Sequence, residues 1–284
     1  MFIKKGENKY RYVDADPNDC LVKGMEAGVY NVNISRHPFM GTSYTFEGIN
    51  TFDNGRVIES GVYKNARKKV YDFISPEMKE ARTILGLKHK LGLMFTGKPG
   101  TGKTFLAGQL AHELAIKHNA IGFVLTDQER LADFVDMIRE QDPDRMMIII
   151  LDEFEKTHDI SHNHIDSNLL GFLDGAKSRD NVITIATMNK INKIPDVLTE
   201  RPGRFEETYE FSIKDDEVLK GMVEGIIPNE AREYIKVEDI ILEMKKNQIY
   251  AMDRLAILIR DKIFENLQKP VAEKPKEKET SKKK

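Results

Sequence analysis

The sequence predicts an α/β fold around a five-stranded parallel sheet, and three observations carry that expectation. Strand-length segments fall at 91–96, 121–126, 146–151, 182–187 and 207–211. Helical spacing lies between them, as in Leu131, Phe134, Val135 and Ile138 at i, i+3, i+4 and i+7. The run Met146-Met147-Ile148-Ile149-Ile150-Leu151 is apolar without alternation, which a parallel strand covered on both faces requires. Strands alternating with helices imply right-handed crossovers.

In chain order, residues 1–62 read as a small β-rich N-terminal region. Tyr30, Val32 and Ile34 alternate with Asn31 and Asn33 as in a half-buried strand, and Asp53-Asn54-Gly55 has the composition of a two-residue hairpin turn. A unit this short has little core of its own, so it is expected to pack on the following domain or on a neighbouring subunit. Partner recognition and a purely structural role both remain open for it. Residues 63–212 form the α/β unit. It opens with two helical segments between Tyr63 and Leu85, in which Val70, Phe73 and Ile74 share a face. Residues 213–268 read as a helical lid subdomain interrupted at Pro228 and closed by the stripe Leu255, Leu258, Ile259 and Ile263. Residues 269–284 are lysine-rich with almost nothing to bury, and are expected to be a disordered tail.

The 284 residues carry a net charge of -2, with 32% charged side chains. There is no global basic field, and the aromatics and lysines of the N-terminal region sit in mixed charge, so nucleic-acid binding is not expected. No apolar run reaches membrane-spanning length and Met1-Phe2-Ile3-Lys4-Lys5-Gly6 lacks the apolar core of a signal peptide. Cys20 is the only cysteine. A cytoplasmic setting without membrane contact is the expectation.

Residues Gly97-Lys98-Pro99-Gly100-Thr101-Gly102-Lys103-Thr104 match G-x-x-x-x-G-K-T, between a strand and a helix whose stripe is Leu106, Ala107, Leu110, Ala111, Leu114 and Ala115. Glycines let backbone N–H groups close around a polyphosphate where a side chain would block it. Lys103 can reach the β- and γ-phosphates, the Thr104 hydroxyl can bind Mg²⁺, and the helix N-terminus, with Phe105 in its first turn, favours the same anion. The chain is therefore expected to be a P-loop NTPase that binds ATP with Mg²⁺. The strand 146–151 ends in Asp152-Glu153. Asp152 is a candidate to hold the metal, with Thr104, and Glu153 to orient and deprotonate the attacking water. The alternative is a pair of solvated charges that merely ends a strand.

Two further segments, Ala186-Thr187-Met188-Asn189 and Arg201-Pro202-Gly203-Arg204-Phe205, follow in this order. With the two nucleotide motifs they resemble the AAA family proper of the AAA+ ATPases, over about Tyr63 to Gln268. The resemblance implies that Asn189 is the first sensor, which helps place the water. It implies that Arg201 and Arg204 reach into the next subunit's ATP site, where a guanidinium stabilises transition-state charge. Local ion pairs are the other reading of both arginines. Arg254, in the lid, is a candidate second sensor. The family further implies a homo-oligomeric ring, a hexamer with ATP between subunits, and a remodelled macromolecular partner, here expected to be protein.

Thr126-Asp127-Gln128-Glu129-Arg130-Leu131 stands where polypeptide-threading members carry an aromatic–apolar–Gly pore loop, and has neither aromatic nor glycine. This short segment, with Leu169-Leu170-Gly171-Phe172-Leu173-Asp174-Gly175, is most similar to the mitochondrial complex III assembly ATPases, without their membrane helix. An ATP-gated assembly scaffold is thus an alternative to a remodelling motor, and a helicase loader is a third reading. His158, His162 and His164 invite a metal reading, but a solvated loop is expected of so hydrophilic a stretch.

Overall fold

The computed structural model describes residues 2–12, 21–22, 24–37, 41–50, 58, 61–129, 131–158, 165–174, 180–189, 194–199, 204–212, 216–227, 231–247, 249 and 252–268. The N-terminal strands are β1 (Phe2–Gly6), β2 (Lys9–Tyr12), β3 (Leu21–Val22), β4 (Gly28–His37) and β5 (Gly41–Gly48). Helices α1 (Gly61–Ile74) and α2 (Pro76–Ile84) lead into β6 (Lys90–Gly97), α3 (Lys103–His118), β7 (Ile121–Leu125), α4 (Leu131–Gln141) and β8 (Met147–Leu151). Then follow α5 (Phe154–Thr157), α6 (Ser167–Asp174), β9 (Val182–Met188), α7 (Asp196–Thr199) and β10 (Glu207–Phe211). Helices α8 (Asp216–Ile226), α9 (Val237–Asn247) and α10 (Met252–Leu267) complete the order. The expected hairpin at Asp53-Asn54-Gly55, Pro228 and the 269–284 tail lie outside the described residues.

The five expected parallel strands are present in the order β10-β6-β9-β8-β7, but the sheet does not stop there. Strand β4 adds to the free edge of β7 in parallel, with Gly28 opposite Ile121 and Tyr30 opposite Phe123. Strands β5, β2, β1 and β3 continue antiparallel from it, making one ten-stranded mixed sheet. The N-terminal strands are thus no separate unit. Their missing core comes from the neighbouring strands and helix. Phe46 meets the Phe123 ring at 5.8 Å between centroids, Phe123 meets Phe134 of α4 at 5.2 Å, and Tyr44 meets Phe134 at 5.7 Å. Adding strands to an open edge also pairs backbone groups that would otherwise template association.

Each face of the sheet has its own core. Ile148 and Ile150 of β8 pack with Leu93, Phe95, Leu106, Leu110 and Ile185 on the α3 side. Met147, Ile149 and Leu151 alternate to the other side, with Phe134, Ile138 and Phe172. This two-sided burial explains the unbroken apolar run. Helices α8 to α10 join the α3-side core through Met222, Val223, Ile240, Leu255 and Ile259. Among the described residues no helix is long and apolar enough to cross a membrane.

One close approach constrains the motif-bearing strand. A Cβ on Gly92 of β6 would lie 2.1 Å from the Arg204 carbonyl oxygen and 2.8 Å from its carbon. Both are backbone atoms, which no rotamer change moves away. Gly92→Ala should therefore cost at least about 1–3 kcal/mol by overpacking. Thermal unfolding checks this, with Tm expected to fall by several degrees.

Candidate functional site

The cavity of about 540 Å³ above the carboxyl ends of β6, β8 and β9 holds most of the residues singled out from sequence. Ligands sit at such strand ends in open α/β sheets. Gly97 has φ 142 and Gly102, the N-cap of α3, has φ 82, both in the region that favours glycine. At Gly97 a Cβ would also fall 2.4 Å from the Phe211 carbonyl oxygen. Pro99, Gly100, Gly102, Lys103, Thr104 and Phe105 line the cavity. Gly97, Lys98 and Thr101 belong to the loop but do not line the cavity. Thr101 donates its hydroxyl to the Lys98 carbonyl at 2.8 Å, and the Tyr63 hydroxyl of α1 donates to the Thr101 carbonyl.

Lys103 is buried, and its Nζ donates to the carbonyls of Gly97 at 2.8 Å and Lys98 at 2.9 Å. Desolvation lowers its pKa, partly offset by the nearby carboxylates of Glu155 and Asp152. An arriving polyphosphate would act against that desolvation, favouring the ammonium form.

Asp152 and Glu153 follow β8 into the same cavity. One oxygen of Asp152, Oδ1, accepts from the hydroxyl of Thr104 at 2.7 Å and from that of Thr187 at 2.6 Å. Glu153 has φ 50, a left-handed conformation, and its carboxylate pairs with Lys156 at 2.5 Å while remaining partly exposed. Asn189 also lines the cavity, and its backbone N–H donates to Glu155 Oε1 at 3.0 Å. Hydroxyl and carboxylate oxygens within hydrogen-bond distance are the hard donor set that Mg²⁺ takes, so Thr104 and Asp152 fit it.

Three expectations do not match where the side chains lie. Arg204 is held within its own chain: its side chain is 2% exposed, with Nη2 on Asp174 Oδ2 at 2.6 Å, Nε on Asp174 Oδ1 and Nη1 on the Val197 carbonyl. This placement favours the local ion pair over a reach into the next subunit for this arginine. Arg254 is exposed on α10 and does not line the cavity; Ala256 of the same helix does, and two residues further places it on the other side of the helix. His158 is not solvated but 4% exposed, its ring 4.6 Å from that of Phe154, and burial lowers its pKa. His162, His164 and Arg201 lie outside the described residues.

Sequence reasoning missed the apolar end of the cavity. Ile58 comes from the N-terminal segment, Gly225 and Ile226 from the end of α8, and Ala256 from α10. Together they offer a surface suited to a planar base. They are ordinary apolar residues far apart in sequence, and no local signal marks them. Thr187 belongs to the Ala186–Asn189 segment, and its contacts with the Glu153 N–H and Asp152 appear only in the fold.

Comparison with known proteins agrees with this geometry. The model of the ATPase family associated with various cellular activities (AAA) matches residues 93–213. Protein CdcH of Halobacterium salinarum is 26% identical over 216 residues, covering 69% of this chain and 28% of that protein. Human ATPase family AAA domain-containing protein 2 is 29% identical over 170 residues, 53% of this chain and 12% of its own length. The cell division cycle protein 48 homolog of Archaeoglobus fulgidus is 29% identical over 154 residues, 49% of this chain and 20% of its length. The chain thus spans between about an eighth and three tenths of these relatives. The family match begins inside β6 and ends just beyond β10, and over that span the chain is similar to the AAA ATPase family.

Proposed function

We propose that this chain hydrolyses Mg-ATP, assembles head to tail into a ring, a hexamer, and uses the cycle to remodel a macromolecular partner, a protein. The observation that carries the reading is the convergence of Lys103, Thr104, Asp152 and Glu153 on one cavity. Lys103 would exchange its two loop carbonyls for phosphate oxygens, an exchange of neutral acceptors for charged ones. Thr104 and Asp152 would hold Mg²⁺, which supplies charge neutralisation at the β- and γ-phosphates. Glu153, released from Lys156, would take the proton of the attacking water, with Asn189 across the cavity to orient it. Arg201, delivered by the adjacent subunit, would complete the charge stabilisation.

The test of the binding half is Lys103→Ala. The substitution removes the charge that meets the polyphosphate in the ground state, so Mg-ATP affinity should fall by at least about tenfold, at about 1.4 kcal/mol per decade. Calorimetric titration with Mg-ATP measures it, and unchanged affinity would displace Lys103 from the site.

A second reading, an ATP-gated scaffold, is favoured by the β7–α4 loop. There Asp127 and Glu129 pair with Arg36 and Gln128 is fully buried, a loop held inward by the protein's own contacts. Counting ATP hydrolysed per partner event separates the two readings: many for a motor, about one for a switch. Loading of a helicase onto nucleic acid would show as salt-dependent single-strand binding.

A further inference from the structure

The peptide joining Asp152 to Glu153 is held from both sides. Its carbonyl accepts from Gln128 Nε2 at 2.9 Å, and its N–H donates to Thr187 Oγ1 at 3.1 Å. The same Thr187 hydroxyl donates onward to Asp152 Oδ1. This peptide sets where both carboxylates point, and Glu153 follows it in a left-handed backbone conformation that costs energy for any residue with a Cβ. Gln128 is 0% exposed, and its Oε1 has no hydrogen-bond partner among the described residues. Turning the amide over would set two oxygens against each other, so the donor must face Asp152. A buried, half-satisfied glutamine is a poor choice for stability alone. It is explained by what it holds.

The flanks of Gln128 lead elsewhere. Strand β4 pairs with β7 as far as Asn31 opposite Val124, then runs on to His37 alongside the loop that follows β7. There Arg36 Nη2 reaches Asp127 at 2.9 Å and Nη1 reaches Glu129 at 3.3 Å, one guanidinium bridging the residues on either side of Gln128. Asp127 Oδ1 also accepts from the Glu129 N–H at 3.2 Å, closing a tight turn around the glutamine. The base of the loop is tied to the acidic strand end by Asp152 N–H donating to the Leu125 carbonyl at 3.1 Å, and by Thr157 Oγ1 donating to that of Thr126 at 3.2 Å.

We propose that Gln128 is a positioning residue for hydrolysis, fixing the Asp152–Glu153 peptide, and that Arg36 makes the N-terminal sheet the element that sets it. Anything that shifts β4, such as a protein bound to the N-terminal strands, then changes the aim of Glu153 without touching ATP. The inference rests on the reading of Glu153 as the group that prepares water.

The experiment uses the full chain and three measurements: affinity for a non-hydrolysable ATP analogue with Mg²⁺, single-turnover hydrolysis of Mg-ATP, and Tm. Gln128→Met removes the donor at similar volume, and Arg36→Glu reverses a charge that is partly exposed. Expected are analogue affinities within about twofold of the parent, with hydrolysis slower by about tenfold for Gln128→Met and about threefold for Arg36→Glu. Arg36→Lys should restore most of the rate. Neither change should slow hydrolysis further in a Glu153→Gln background, because the group being aimed is already gone. Unchanged hydrolysis in both variants, losses that track affinity or Tm, or full additivity with Glu153→Gln would each overturn the inference. If Gln128→Met does not fold, Arg36→Glu and Arg36→Lys decide by the same criteria. A normally active Glu153→Gln chain would remove the underlying reading as well; normal Gln128→Met and Arg36→Glu activity beside an inactive Glu153→Gln chain removes this inference alone.

Discussion

Glu153→Gln should bind Mg-ATP as the parent chain does and hydrolyse it about 10²- to 10⁴-fold more slowly, the usual contribution of a positioned general base. That is roughly 3 to 5 kcal/mol of transition-state stabilisation, at 1.36 kcal/mol per decade. The substitution is nearly isosteric, so the left-handed backbone at residue 153 and the Gln128 and Thr187 contacts to its peptide have no reason to change. The ion pair with Lys156 is lost, but both partners are substantially exposed and such pairs are worth about 0–1 kcal/mol. Loss of kcat at constant affinity is the signature of a group that acts only in the transition state. Single-turnover hydrolysis beside equilibrium binding measures it. Hydrolysis near the parent rate would move the base elsewhere in the cavity.

The two arginines of Arg201-Pro202-Gly203-Arg204 should fail in different ways. Arg204→Ala removes a buried guanidinium that grips Asp174 with two nitrogens and the Val197 carbonyl with a third. Breaking a buried pair from one side costs about 3–5 kcal/mol, and Asp174 is partly exposed, so water can soften the loss toward about 3. With roughly 2–4 °C per kcal/mol for a domain of this size, Tm should fall by about ten degrees. Arg201→Ala should leave Tm in place and slow hydrolysis by roughly 10³-fold or more, as expected of a trans-acting arginine. Because each ring site would take its base from one subunit and its arginine from the next, mixing Arg201→Ala with Glu153→Gln should rebuild about a quarter of the interfaces. Activity that fails to return in rings shown to contain both variants would remove the trans role. An Arg204→Ala chain with unchanged Tm would contradict the buried pair.

The elements that the sequence located well are those whose signal is local. Strand 146–151 appears as Met147–Leu151 and 182–187 as Val182–Met188, because burial on two faces demands an uninterrupted apolar run. The helix after the phosphate loop buries Leu106, Leu110 and Leu114 as its spacing implies. The buried His158 departs from the expected solvated loop because a hydrophilic neighbourhood says nothing of a single ring that turns inward onto Phe154. For Arg204 both a reach into a neighbour and a local ion pair are open in the sequence, because a charged residue beside Phe205 carries no sign of which way it points. Only Asp174, thirty positions away, decides that.

By itself, the sequence determined the phosphate loop, the acidic strand end, the α/β alternation and the AAA likeness. Each is written in consecutive residues or in a short period, and backbone geometry converts such patterns directly into structure. The tertiary structure alone decided that β4 extends the parallel sheet, that Ile58, Ile226 and Ala256 meet at one end of the cavity, and that Gln128 reaches the Asp152 carbonyl. Strand pairing at a sheet edge uses N–H and C=O groups that every residue but proline carries, so no side-chain pattern announces which edge is chosen. What selects it is the shared aromatic core of Phe46, Phe123 and Phe134, a contact among three distant segments that exists only once the chain has folded.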